Sequence, residues 1–284
     1  VSVEHYENFP VASWLCPPTL RATVQAIYWF ARTADDLADE GERPAAARLQ
    51  DLAAYRGELQ RAFEPGDSRG GRWPQVFGPL AGAIRRHALP PGPMFDLLSA
   101  FEQDVGNPSY ADRAELLDYC RRSANPVGRL LLHLYGVGDA LAVERSDAVC
   151  TALQLINFWQ DLGVDAARGR HYVPLADARR HGVTHADLQA RRDGPAARAL
   201  VRDLCDWAGA LMLDGAPLVH QLPGRAGWEL RLVVQGGLRV LQRIERDGWA
   251  TLRRRPKLGA ADALPLLWQA ATMRSTLPPA RTAA

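Results

Sequence analysis

A chain of 284 residues that is 47% hydrophobic and 23% charged can bury a sizeable core, which excludes an intrinsically disordered protein. Its net charge of +2, with arginines interleaved among acids, excludes a nucleic-acid-binding face, and no apolar run reaches the ~18 residues needed to span a bilayer. Cys16, Cys120, Cys150 and Cys205 stand far apart with no CxxC pair, as the buried, reduced thiols of a cytoplasmic protein would.

Helical periodicity dominates the chain, and no stretch alternates as a strand would. Pro17 and Pro18 precede a helix expected over Leu20 to Glu40, with Gly41 as its stop signal. A second amphipathic segment follows Pro44 as far as Phe63, and the Gly- and Pro-rich Glu64 to Pro74 reads as a loop. Helices are then expected over Gln75 to His87, Pro91 to Asp104, Arg113 to Gly136 with a kink at Pro126, and Glu144 to Asp165. After a short irregular stretch come Pro195 to Leu213, Gly227 to Arg254 and Ala260 to Met273. With no internal repeat, residues 1–284 read as one all-α domain.

Two acidic clusters stand out against this pattern. In FARTADDLADEG, Asp35 and Asp39 lie one helical turn apart with Asp36 beside them. In LQLINFWQDLGVDAARGRHYVP, Gln154, Asn157, Asp161 and Asp165 follow at offsets of three, four and four, and so share one helix face. A single DxxxD reads most simply as a solvated helix end. Here the stripe carries short amides and acids among Leu155, Ile156, Phe158, Trp159 and Leu162, where a solvated face would carry Lys, Arg or Glu. Paired carboxylates in a low-dielectric interior need a cation, and two such pairs on facing helices would form a hard-oxygen cage suited to Mg²⁺ and a substrate phosphate. Arg32 and Arg170 lie close to the two clusters as guanidinium donors for that phosphate.

The other basic features are weaker signals. Lys257 is the single lysine among 34 basic residues, which reads mainly as compositional bias, although arginine also suits bidentate phosphate recognition. Arg253, Arg254, Arg255 and Lys257 read as a solvated helix end, with contact to anionic lipid as the alternative. His181 and His185 are one turn apart but have too few neighbouring ligands for zinc.

With these residues in view, the chain resembles the squalene/phytoene synthase family, the head-to-head prenyl diphosphate synthases. The first matching motif is Tyr28, Arg32, Asp35, Asp36 and Asp39. The second is Gln154, Asn157, Asp161 and Asp165 with Arg170 and Tyr172, and YCRRSANPVGRLL from Tyr119 lies between them. The resemblance implies an isoprenoid-synthase-type bundle around an apolar cavity, with Mg²⁺ held by Asp35, Asp36, Asp39, Asn157, Asp161 and Asp165. It further implies a prenyl diphosphate bound by Tyr28, Arg32, Gln154, Asn157, Arg170 and Tyr172. A carbocation formed there would be shielded by aromatic faces, for which Tyr28, Phe30, Tyr119, Phe158, Trp159 and Tyr172 are candidates.

Several departures from the commonest family pattern point to the bacterial hydroxysqualene synthase branch of hopanoid biosynthesis. Gln160 stands where an arginine is usual, Val164 where a glutamate is, Asn125 at a glycine position, and Gly237 near a common tyrosine; ENFPVAS, Glu7 to Ser13, adds to the likeness. That resemblance implies conversion of presqualene diphosphate to an alcohol by water capture, without NADPH. Asp35, Asp39, Asp161, Asp165 and Tyr119 would be catalytic, and Asn125 and Gln160 would position the water, or simply satisfy one another or the backbone. The alternatives are condensation of two prenyl diphosphates, as in presqualene diphosphate, dehydrosqualene, squalene or phytoene synthases, and a non-catalytic prenyl-lipid-binding or scaffold protein. The expected location is cytoplasmic, since no basic-then-apolar leader or C-terminal anchor is seen. Any bilayer contact would be peripheral, and other isoprenoid-pathway enzymes are further candidate partners.

Overall fold

The computed structural model describes residues 16–41, 43–65 and 71–273; the Glu7 to Ser13 stretch lies outside them. Among the described residues there is no strand, and the α-helices are α1 (Pro18–Asp39), α2 (Ala45–Phe63), α3 (Pro74–His87), α4 (Pro91–Asp104), α5 (Arg113–Ser123) and α6 (Asn125–Leu134). They continue with α7 (Ala140–Ala167), α8 (Leu175–Arg180), α9 (His185–Gln189), α10 (Pro195–Gly215), α11 (Gly224–Arg246) and α12 (Ala260–Thr272). A 3-10 turn, Ala216–His220, joins α10 to α11.

Local chemistry explains most of the boundaries. Proline opens α1, α3, α4 and α10, where its missing N–H costs nothing. Asp112 caps α5 by accepting from the backbone N–H of Ala114 and Glu115, and Asp139 caps α7 by accepting from Ala142. The expected helix over Arg113 to Gly136 is broken into two at Ala124, because Pro126 in the first turn of α6 cannot donate a helical hydrogen bond. α11 ends at Arg246, short of the expected Arg254, because Gly248 and Trp249 adopt positive φ (68° and 56°) and turn the chain back. The stretch expected to be irregular holds α8 and α9, the latter closed by a capping box between Thr184 and Asp187.

The central helix is α7, packed against α5, α6, α10 and α11. Trp159, Leu155 and Ile156 point into a core shared with Leu200, Leu204 and Met212 of α10 and Val234 of α11. α1 to α4 build a second apolar cluster around Phe30, Tyr55 and Phe77, where the Tyr55 hydroxyl donates to the Phe30 carbonyl at 3.0 Å. Burying each such large side chain contributes about 1.5–3 kcal/mol. All four cysteines are free and buried. No helix among the described residues is long and apolar enough to cross a membrane.

Candidate active site

α1 and α7 each bury one face and present another to a shared cavity of about 530 Å³. On α1, Phe30, Ala34 and Ala38 go to the core, while Val24, Tyr28, Arg32, Asp35 and Asp39 line the cavity. On α7, Leu155, Trp159 and Gly163 turn inward, while Val149, Gln154, Asn157, Phe158, Asp161 and Asp165 face the cavity. α6 and α11 close the apolar wall with Val127, Leu131, Leu230 and Val233. At 1.5 Å per residue, the lining from Val24 to Asp39 extends roughly 22 Å along α1.

Both helices run from apolar to acidic and bring their carboxylates to their C-terminal ends. Asp39 lies in the last turn of α1 and Asp165 in that of α7, where neither helix has a basic residue. These are the negative ends of the helix dipoles, so the acids there draw their compensation from arginines outside the last turns. Burial, together with the neighbouring Asp39 carboxylate, pushes the Asp35 pKa up to about 6. Burial and Asp161 likewise raise Asp165 to about 6.

Guanidinium groups stitch this end together. Arg170, just beyond α7, pairs with Asp39 and so ties the second acidic cluster to the first. Arg32 binds Asp35 at 3.2 Å, Asp36 at 2.7 Å and Glu40 at 2.9 Å. Arg255 grips both oxygens of Asp161, one of them at 3.0 Å. Among the described residues, no three His, Cys, Asp or Glu side chains already converge as a metal cage. The two carboxylate pairs instead face the cavity from separate helices, each with an arginine against it.

Of the residues singled out in the sequence, Tyr28, Arg32, Asp35, Asp39, Tyr119, Gln154, Asn157, Asp161, Asp165, Arg170 and Tyr172 all line the cavity. Phe158 and Tyr172 stack face to face at 3.7 Å with their planes 6° apart, and Tyr119 packs beside both. Phe30 and Trp159 are fully buried in the two cores, so as cation-shielding candidates they lie on the wrong side of their helices. Asp36 is not part of the lining and pairs with Arg32.

Asn125 and Gln160 are also buried outside the lining, because their amides are used elsewhere. Thr151 Oγ1 donates to Asn125 Oδ1 at 2.9 Å, and Gln160 Nε2 donates to the Pro256 carbonyl at 2.7 Å. The geometry therefore favours the backbone-satisfying expectation for Gln160 over direct handling of a water molecule. Gly237 packs α11 on its neighbours: a Cβ there would stand 2.8 Å from Met212 Cε and 3.3 Å from the ends of Ile156 and Leu153, so a larger side chain needs these to shift.

Two site residues escaped the sequence reading. Asp104, at the end of α4, lines the cavity and accepts the Tyr119 hydroxyl at 2.9 Å. Its pKa is pushed up to about 7 by burial, with Asp39 and Asp35 adding to the shift and the Tyr119 bond opposing it. Arg255 belongs to the basic run read as a solvated helix end. It reaches Asp161 because residues after α11 pass directly over Gly163, where a Cβ would stand 2.4 Å from the Leu252 carbonyl oxygen.

An all-helical bundle around an apolar cavity, headed by facing carboxylate pairs and arginines, defines an isoprenoid-synthase type of protein. More narrowly, the chain belongs to the squalene/phytoene synthase family, whose model matches residues 3–262. A hydroxysqualene synthase from Rhodopseudomonas palustris is 34% identical over 84% of this chain and 80% of its own. A phytoene synthase from Thermus thermophilus is 33% identical over 97% of this chain and 91% of its own. Among solved structures, a squalene synthase from Alicyclobacillus acidocaldarius superposes with a TM-score of 0.77 at 39% identity, covering 86% of this chain and 90% of that one.

Proposed function

We propose that the protein converts presqualene diphosphate and water to hydroxysqualene and diphosphate. The observation that carries this reading is the polarity of the cavity: carboxylates and arginines gather at one end of α1 and α7, and an apolar wall follows. Such a site takes a substrate with an anionic head and a long hydrocarbon body. The likeness to two hydroxysqualene synthases, at 34% and 33% identity, supports the choice of product.

The donor set fits Mg²⁺. Asp35, Asp39, Asp161, Asp165 and the Asn157 amide offer hard oxygen atoms, and burial with neighbouring carboxylates raises Asp35 and Asp165, a cost a bound cation would relieve. Bound there, Mg²⁺ would supply the charge that stabilises diphosphate as it leaves. Arg32 and Arg170 would add guanidinium donors to the same oxygens and hold the head group at the acidic end. The faces of Phe158, Tyr172 and Tyr119 border the space where the resulting cation would lie, and the aliphatic wall would limit the water that reaches it. Water supplies the closing oxygen, so the reaction requires no NADPH.

A second reading, condensation of two prenyl diphosphates, is favoured by the phytoene synthase relative, which matches nearly the whole chain. Purified protein given Mg²⁺ and, separately, presqualene diphosphate or farnesyl diphosphate decides between them by mass spectrometry in isotopically labelled water. Hydroxysqualene carrying the water oxygen, formed from presqualene diphosphate alone, is the expected result. A C30 product from farnesyl diphosphate with no alcohol from presqualene diphosphate would move the protein to the condensing class.

A further inference from the structure

The outer face of α12 has no role in the cavity and is unusually apolar for an exposed helix. Leu264, Leu267 and Trp268 follow at i, i+3 and i+4 and are 79%, 55% and 71% exposed. Ala260, Ala263 and Ala271 extend the same stripe, so that it carries no charged group. The helix's one charged side chain, Asp262, is turned inward and held by Arg239 at 2.8 Å. A stripe of this kind, continuous over three turns, is not what a solvated helix presents.

The segment leading into the stripe is cationic. Arg253, Arg254 and Lys257 are exposed and lie within a few residues of the α12 N-terminus. Arg253 has a loose partner in Asp193 at 3.8 Å, whereas Arg254 and Lys257 make no ion pair with any described residue. On α11, Trp228 is 46% exposed, with the Arg231 guanidinium 5.1 Å from its ring.

We propose that the outer face of α12, together with the cationic segment before it, docks the protein on the surface of a bilayer bearing anionic lipid headgroups. The charge pattern selects this occupant. An uncharged stripe of Leu and Trp suits the boundary between headgroups and acyl chains, and a cationic collar beside it suits anionic headgroups. At 13 residues α12 extends only about 20 Å, too short to span, so it would lie in the plane of the interface.

Its attachment to α11 gives the surface a purpose. Arg231 of α11 donates to the carbonyls of Ala270 and Met273 at 3.3 and 3.4 Å, while Leu230 and Val233 of the same helix line the cavity. Docking through α12 would place the bilayer one helix away from the apolar wall. This inference rests on the surface and holds whichever prenyl diphosphate is used.

The test is co-sedimentation of the full chain with vesicles of phosphatidylcholine alone and of phosphatidylcholine mixed with phosphatidylglycerol. Binding to the mixed vesicles is expected, stronger than to the neutral ones and weakened by salt. The double variant Leu264→Ser/Trp268→Ser is expected to bind about tenfold more weakly. It should retain its helical circular dichroism and its turnover of detergent-dispersed substrate, which separates this outcome from failure of the proposed reaction. Arg254→Gln/Lys257→Gln should lose the preference for anionic vesicles. If the double variant loses helicity, Leu264→Gln alone serves, since that side chain touches little.

Failure of the native protein to bind any vesicle would overturn the proposal, as would undiminished binding of the variants. So would concentration-dependent self-association of the native protein that Leu264→Ser/Trp268→Ser abolishes, because a second copy would then cover the face.

Discussion

Replacing Gln160 by Met tests whether Arg255, the arginine on Asp161, is set in place by the buried amide next to Asp161, which bonds the carbonyl of Pro256, adjacent to Arg255. The substitution nearly conserves volume and removes one donor. Gln160 is 4% exposed, its Nε2 lies 2.7 Å from the Pro256 carbonyl oxygen, and Pro256 is itself buried. Losing that donor leaves a buried acceptor unsatisfied, at a cost of about 1–3 kcal/mol. In a chain of this size that lowers the melting temperature by about 2–6 °C. The second consequence is functional. Pro256 follows Arg255, whose guanidinium holds both Asp161 oxygens, so loosening the carbonyl frees the partner of a proposed metal ligand. Loss of such an outer contact typically costs about 10–100-fold in metal affinity or activity. Thermal unfolding and the Mg²⁺ dependence of turnover should therefore both shift. A variant that melts with the native protein and needs no more Mg²⁺ would refute the chain of contacts from Gln160 to Asp161.

Asp161→Asn keeps shape and removes charge; turnover is expected to fall about 10²–10³-fold with little change in melting, and near-normal turnover would remove Asp161 from the site. The metal-free protein should respond to pH through Asp35, Asp165 and Asp104. Their folded pKa values of about 6, 6 and 7 lie above the ordinary 3.8, so the folded state binds more protons than the unfolded chain between about pH 4 and 7. The stability from these groups is complete below pH 4 and is lost as pH rises through 6 to 7. His171, whose pKa burial lowers, works in the opposite direction over part of that range. The Mg²⁺-induced rise in melting temperature, measured against a chelator control, isolates the carboxylates and should be larger at pH 8 than at pH 5. Equal rises would count against these aspartates as metal ligands.

The acidic stripes could be read from the sequence because a helix converts offsets of three and four into a shared face, and nothing beyond α1 and α7 is needed to see it. The start of α1 was likewise local: Pro17 and Pro18 can begin a helix but not continue one. Arg255 and Asp104 depend on other information. Arg255 meets Asp161 across a sequence separation of 94, through a chain reversal at Gly248 and Trp249 and a close crossing at Gly163. Gly248 could have been read as a stop signal; a tryptophan at positive φ carries no such signal. Asp104 looked like an ordinary helix-end acid, and only the approach of Tyr119 from α5 marks it. Asn125 and Gln160 were visible as departures, but composition cannot say which partner a buried amide takes.

The placement of the carboxylates argues for their use. Acids stabilise helices at N-termini and destabilise them at C-termini, yet this chain puts Asp35, Asp39 and Asp165 at or near the C-terminal ends of two helices that line one cavity. Their partners Arg32, Arg170 and Arg255 offset part of the repulsion, while burial, with the neighbouring carboxylates, raises Asp35 and Asp165. A fold selected for stability alone would favour lysine or arginine in those last turns. The residual deficit of positive charge is what a site needs if a cation is to enter with an anionic head group and leave again with diphosphate.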